Sequence, residues 1–209
     1  MTATTPASRS AHWNQVYATK AATEVSWYQP RPETSLALIA RAGIARADAI
    51  VDVGGGAATL VDALLDAGHS DLTVLDIAES AFAAARQRLG PLAARVRWCV
   101  ADVTEWQPQQ QYALWHDRAV YHFLLAEDER RRYIASLGAA LVSGGTAILA
   151  SFAPDGPERC SGLPVRRHSA AMLAEELGAG FTLLETLSEA HHTPAGAVQR
   201  FVWCRFRRD

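Results

Sequence analysis

Several common features are scarce or missing in this chain of 209 residues. It has three cysteines, Cys99, Cys160 and Cys204, and no CxxC pair, which excludes a disulfide framework and points to reduced thiols in the cytoplasm. No stretch reaches the roughly 18 to 20 apolar residues of a membrane helix. Arg9, His12, Lys20 and Glu24 interrupt the start of the chain, so a signal peptide is not expected there. Neither sign of charge dominates: 20 Lys and Arg against 22 Asp and Glu leave a formal charge of −2, without the basic surplus of a nucleic-acid binder. No internal repeat, low-complexity tract or interdomain linker divides the chain. With 49% hydrophobic and 20% charged residues, the composition is that of a globular protein of one domain.

The chain alternates between strand and helix patterns. Residues 1–10, rich in Thr, Ala and Ser, read as frayed, and 11–20 as a short amphipathic helix. Trp27, Tyr28, Pro30 and Pro32 mark 25–32 as a loop, and 33–42 reads as a helix stopped by Gly43. Strands are expected at 49–53, 72–75, 96–100, 112–115 and 146–152. Helices are expected at 57–67, 79–89, 128–141 and 169–177. Two closing strands, 182–189 and 197–205, are joined too closely to be anything but an antiparallel hairpin. The expected class is α/β: a Rossmann-like doubly wound sheet of about seven strands, mostly parallel, with an antiparallel C-terminal hairpin and helices on both faces.

The strongest local signal is Val51-Asp52-Val53-Gly54-Gly55-Gly56-Ala57-Ala58-Thr59, at a strand-to-helix junction. Glycines there allow a sharp turn and a ligand close to the main chain. Asp76 ends the next strand, 20 residues after Gly56, where a carboxylate can accept both hydroxyls of a ribose. A dinucleotide would favour G-x-G-x-x-G, but Thr59 stands at the third position. Asp52 puts negative charge where phosphates would lie, and suits a ligand carrying ammonium or sulfonium instead. Glycine loops also serve packing alone, and an Asp after a strand often caps the next turn.

Asp52-x-Gly54-x-Gly56-x-Ala58 resembles motif I of the class I S-adenosylmethionine-dependent methyltransferases, with Ala58 where Gly is frequent. Leu75-Asp76-Ile77 resembles that family's ribose-binding strand end. Cys99-Val100-Ala101-Asp102-Val103 resembles the segment whose Asp sits beside the adenine amino group. Residues 112–117 resemble its fourth strand, which ends facing the reactive methyl, and Ser143-Gly144-Gly145-Thr146 its Pro-Gly-Gly turn. The resemblance covers residues 33–152 in order and spacing. It implies S-adenosylmethionine as cofactor, with Asp52, Gly54, Gly55, Gly56, Asp76, Ile77, Asp102, Val103 and His116 around it.

A single methyltransferase domain is expected over 1–209, with 1–32 as an N-terminal lid on a core of 33–209. Trp13, Tyr17, Trp27 and Tyr28 would supply aromatic faces to the sulfonium. In the polar stretch after strand four, Asp117, Arg118 and His122 are the candidate catalytic residues; were this stretch helical, Arg118 and His122 would share a face. Cys160, His168, His191, His192 and Cys204 match no standard zinc spacing, and no metal site is expected. The implied function is methyl transfer to a small molecule (a thiol, a chalcogen or metalloid compound, or an amine) or to a protein side chain. The alternatives are an NAD(P)-dependent oxidoreductase and a non-catalytic nucleoside-binding protein. Neither a nucleic acid nor a membrane is an expected partner, and the oligomeric state is open.

Overall fold

A computed structural model describes residues 6–209. Its main sheet is built from β1 (Ile50–Val53), β2 (Leu72–Asp76), β3 (Val96–Val100), β4 (Tyr112–Arg118), β5 (Leu141–Phe152), β6 (Phe181–His192) and β7 (Val198–Arg208). The strand order is β3-β2-β1-β4-β5-β7-β6. β1 pairs in parallel with β2 and β4, β2 with β3, and β4 with β5, while β7 runs antiparallel to both β5 and β6. This is the expected sheet, and its strand order changes direction at β1, where the glycine loop begins.

The alternation of side chains along the strands builds two cores. Val51, Val53, Trp115, Ala147 and Leu149 face one, which α5 (Glu127–Ala140) and α6 (Ala170–Leu177) cover with Tyr133, Leu137, Leu173 and Leu177. Ile50, Leu114, Ile148 and Ala150 face the other, where Leu38 and Ile39 of α2 (Glu33–Ala42), Leu60 and Leu64 of α3 (Leu60–Asp66), and Phe82 of α4 (Phe82–Leu89) pack. β1 and β2 are therefore buried along their whole length, the polar Asp52, Thr73 and Asp76 included.

Several boundaries differ from the sequence reading. β5 starts at Leu141, inside the expected helix end, and Gly144 with φ +77° lets the chain shift register against β4 between Tyr112 and Leu114. β4 runs on to Arg118, so Arg118 and His122 do not share a helix face. Ala119 then takes φ +74°, and a single 3₁₀ turn follows at Tyr121–Phe123. Of the expected frayed run, residues 1–5 lie outside the described residues, whereas the rest opens helix α1 (Pro6–Thr19). Among the described residues no helix is long and apolar enough to cross a membrane.

The turn after β4 is fixed by Asp117, which is fully buried. Its Oδ1 accepts the Val120 amide at 2.8 Å, and its Oδ2 accepts the Tyr121 amide at 3.1 Å and the Tyr133 hydroxyl at 2.5 Å. These bonds hold the turn that contains the left-handed Ala119. Asp117→Ala leaves the part-buried Val120 amide, the buried Tyr121 amide and the buried Tyr133 hydroxyl without this acceptor. It is expected to cost about 2–4 kcal/mol of unfolding free energy in urea titration; a loss under about 1 kcal/mol would contradict the clamp.

Candidate active site

The carboxyl ends of β1–β4 open into two adjoining cavities that share Val53, Gly54, Trp27 and Arg118. The larger encloses about 800 Å³ of empty space, part of it open solvent at its mouth. Asp76, Ile77, Asp102 and Val103 line it on one side, and Trp13, Tyr17 and Phe123 on another. The smaller is bounded by Asp52, Gly55, Ala58, Thr59, Tyr28 and His116.

The loop after β1 needs its glycines. Gly54 has φ +67°, and a Cβ there would stand 2.1 Å from Val120 Cγ2. A Cβ on Gly56, with φ +27°, would stand 2.7 Å from Asp76 Oδ2 and 2.9 Å from the Tyr17 hydroxyl. Main chain therefore forms the floor between the carboxylates, and any side chain would displace them.

Asp52 is buried and held by His116, whose Nδ1 lies 2.7 Å from Asp52 Oδ1 while Nε2 lies 2.9 Å from Ser35 Oγ. Asp76 accepts the Ala78 amide at 2.9 Å through Oδ1. Burial, with a smaller contribution from the charge of Asp52, pushes its carboxyl up to about 7. At Asp102, Oδ1 accepts the Thr104 amide at 2.9 Å and its hydroxyl at 2.8 Å, and Oδ2 takes Arg9 Nη2 at 2.6 Å. Burial opposes ionisation of Asp102, but the bonds from Arg9 and Thr104 outweigh it and hold the carboxyl below the ordinary range.

Arg9, within the run expected to fray, is 8% exposed and joins Asp102 to Glu129 of α5. Arg9, Trp13 and Tyr17 recur every fourth residue, so one face of α1 presents all three to the cavity. Ser10 and Asn14, also four apart, tie α1 to the Ile77 carbonyl and to Ser80. That spacing was the available signal for Arg9. Trp13 lies 5.7 Å from Trp27 and 5.2 Å from Phe123 between ring centroids, both edge-to-face, and Tyr17 lies 6.2 Å from Trp27.

The three residues proposed for catalysis fare differently. Asp117 lines neither cavity, and its oxygens are spent on the turn described above. His122 also lines neither; it is fully buried beside Phe123 and Phe152, and burial brings its imidazole down to about 3. A neutral, enclosed imidazole cannot exchange protons with a cavity ligand. Arg118 does line both cavities. Cys160, in a short antiparallel ribbon after β5 where Arg159–Cys160 pairs with Leu163–Pro164, also reaches the larger one. His168 bonds Ser151 and His191 bonds the Ser26 carbonyl; among the described residues no group of three or more His, Cys, Asp or Glu could hold a metal ion.

Residues 50–145 match the family model described as a methyltransferase domain. The match spans β1 to Gly145 and includes Asp52, the glycine loop, Asp76 and Asp102. The matched segment, just under half of the chain, and the strand order around it are those of a methyltransferase-like fold. The fold is similar to that of Burkholderia thailandensis 1,6-didemethyltoxoflavin-N1-methyltransferase, a structure with bound 1,6-didemethyltoxoflavin and S-adenosylhomocysteine. That pair is 23% identical over 100% of this chain and 92% of the other, with a TM-score of 0.69. The N-methyltransferase NodS from Bradyrhizobium japonicum, in complex with S-adenosylhomocysteine, is 18% identical over 93% of this chain and 97% of its own, with a TM-score of 0.69. A methyltransferase from Anabaena variabilis is 15% identical over 98% and 95% of the two chains, with a TM-score of 0.75. No curated protein matches the sequence.

Asp76 generates a pH prediction. Its folded value of about 7 stands above the ordinary 3.8, so its contribution to stability is complete below pH 3.8 and is lost as pH rises through 7. Asp76→Asn removes that penalty. The variant without ligand is expected to be more stable than wild type by about 1–3 kcal/mol at pH 8, an advantage that shrinks toward pH 4. Equal melting curves at both pH values would contradict the assignment.

Proposed function

We propose that this cleft holds S-adenosylmethionine and that the chain transfers its methyl group to a small-molecule acceptor. The carrying observation is the set of three carboxylates, Asp52, Asp76 and Asp102, on three adjacent strand ends beside a main-chain floor. Asp76 would accept the ribose hydroxyls. Asp102 would take the adenine amino group with Ile77 and Val103 beside the ring. Asp52, oriented by His116, would face the ammonium of the amino-acid end. Gly54, Gly55 and Gly56 leave the loop bare for the same end. When bound, this cofactor supplies a methyl already activated on a sulfonium, so the protein's share is orientation and exclusion of water.

Trp13, Tyr17, Trp27 and Phe123 supply that dry wall, with ring faces suited to a cation. The segment up to Pro32 acts as a lid on the core that follows. A lid that closes over the cleft favours a small acceptor over a protein side chain. Burial pushes the Tyr17 hydroxyl well above its ordinary range, so it stays protonated. With His116 engaged by Asp52 and Ser35, and Asp76 committed to the ribose, the lining offers the acceptor no unengaged base. The acceptor therefore brings its own lone pair, as a thiolate, a chalcogen or metalloid centre, or a neutral amine. The named N-methyltransferases among the similar folds support the amine. The three unpaired cysteines suit a reducing cytoplasm.

Calorimetry distinguishes this reading from a dinucleotide-dependent oxidoreductase. S-adenosylhomocysteine is expected to bind and NADH not. Asp76→Ala should weaken the former more than tenfold, about 1.4 kcal/mol or more. Affinity should also fall about tenfold from pH 8 to pH 6 as Asp76 takes a proton. Binding of NADH alone, or unchanged affinity in Asp76→Ala, would overturn the reading.

A further inference from the structure

Arg118 ends β4, on the far side of β1 from Asp76 and Asp102, and lines both cavities. Its guanidinium is fixed in place: Nη1 donates to the Trp27 carbonyl at 2.9 Å, and Cζ lies 5.0 Å from the centroid of the Phe201 ring. Its Nε and Nη2 are buried and have no hydrogen-bond partner among the described residues. The carboxylates whose charge reaches it are engaged elsewhere. Asp52 is bonded to His116, and Glu189 accepts from Trp203, Gln29 and Thr34.

A guanidinium keeps its charge at any physiological pH and carries its five N–H donors in a rigid fork. Burying one with an edge unpaired is costly, because neither water nor a counter-charge replaces its hydration. The Nε–Nη2 edge is the side that meets a carboxylate with two parallel bonds. Neighbouring Trp27, Phe123 and Cys160 offer no anion at neutral pH, since burial raises the Cys160 thiol. On the reading above, a sulfonium is a second cation in the same apolar space. Two cations at low dielectric repel, and an anion placed between them relieves both.

We propose that Arg118 anchors the methyl acceptor, and that the acceptor is a small organic acid whose carboxylate bonds Nε and Nη2. This rests on the cofactor reading given above. The anion arrives with the substrate, so the cofactor-loaded cleft selects for charge before any contact with the reacting atom. The rigid fork then fixes the distance between the acid group and the nucleophile. The cofactor's own carboxylate has the same chemistry, and the experiment separates the two sources.

Calorimetry is run on wild type, Arg118→Met and Arg118→Lys, with benzoate and the uncharged benzamide as probes, in the presence and absence of S-adenosylhomocysteine. Wild type saturated with S-adenosylhomocysteine is expected to bind benzoate at least about tenfold more tightly than benzamide. Arg118→Met should erase that preference, and Arg118→Lys, which keeps the charge without the fork, should retain only part of it. S-adenosylhomocysteine itself should bind wild type and Arg118→Met within about threefold. Because the substitution removes an unpaired buried charge, Arg118→Met should melt no lower than wild type.

Equal affinity for the two probes in wild type, or a preference that survives Arg118→Met, would overturn the anchor. A tenfold or greater loss of S-adenosylhomocysteine affinity in Arg118→Met would also overturn it, by assigning the guanidinium to the cofactor's carboxylate. A wild type that ignores S-adenosylhomocysteine yet still prefers benzoate through Arg118 would support the anchor and refute the cofactor reading instead.

Discussion

Two carboxylates, Asp52 and Asp76, are held out of water at the ends of paired parallel strands. Folding pays for this arrangement, because burial and mutual repulsion both oppose the charge on Asp76. Asp52 is compensated by His116 and through it by Ser35. Asp76 has only main-chain amide donors and stays near neutrality's midpoint, at about 7. A ligand that brings hydroxyl donors and positive charge makes up what the protein leaves undone. The bare glycine loop and helix α1 both border that deficit, through Gly56 and Tyr17.

Helix α1 belongs to the site as much as the sheet does. Arg9 ties it to Asp102 and α5, Ser10 and Asn14 tie it to the chain after β2, and Trp13 and Tyr17 roof the cavity. Helix α1 and Asp102 are therefore mechanically joined through one ion pair. On the opposite flank, Arg118 is joined to the loop after α1 through the Trp27 carbonyl. The two arginines bracket the aromatic wall, one satisfied by protein carboxylates and one with an edge to spare.

Much of this was legible in the chain because the pattern is local. β1 and β2 announce themselves as short apolar runs because both faces are covered, and the glycine loop with Asp76 has a fixed spacing set by one strand-helix-strand unit. The longer β4 and the 3₁₀ turn after it were not legible. Whether Asp117 points into a cleft or folds back onto the Val120 and Tyr121 amides depends on Tyr133, 16 residues away on another element. His122 looks like a base in sequence and becomes a core residue because Phe152 packs on it. Arg9 hid in a polar run, although its four-residue spacing to Trp13 and Tyr17 marks a common face.

The central claim is that the strand-end carboxylates bind an ammonium-bearing nucleoside free of phosphate. A crystal structure with S-adenosylhomocysteine tests it most directly. The account predicts the ribose hydroxyls on Asp76, the adenine between Ile77 and Val103 beside Asp102, and the amino-acid end over Gly54–Gly56 toward Asp52. A nucleoside bound elsewhere, or in this cleft without contact to Asp76, would contradict it.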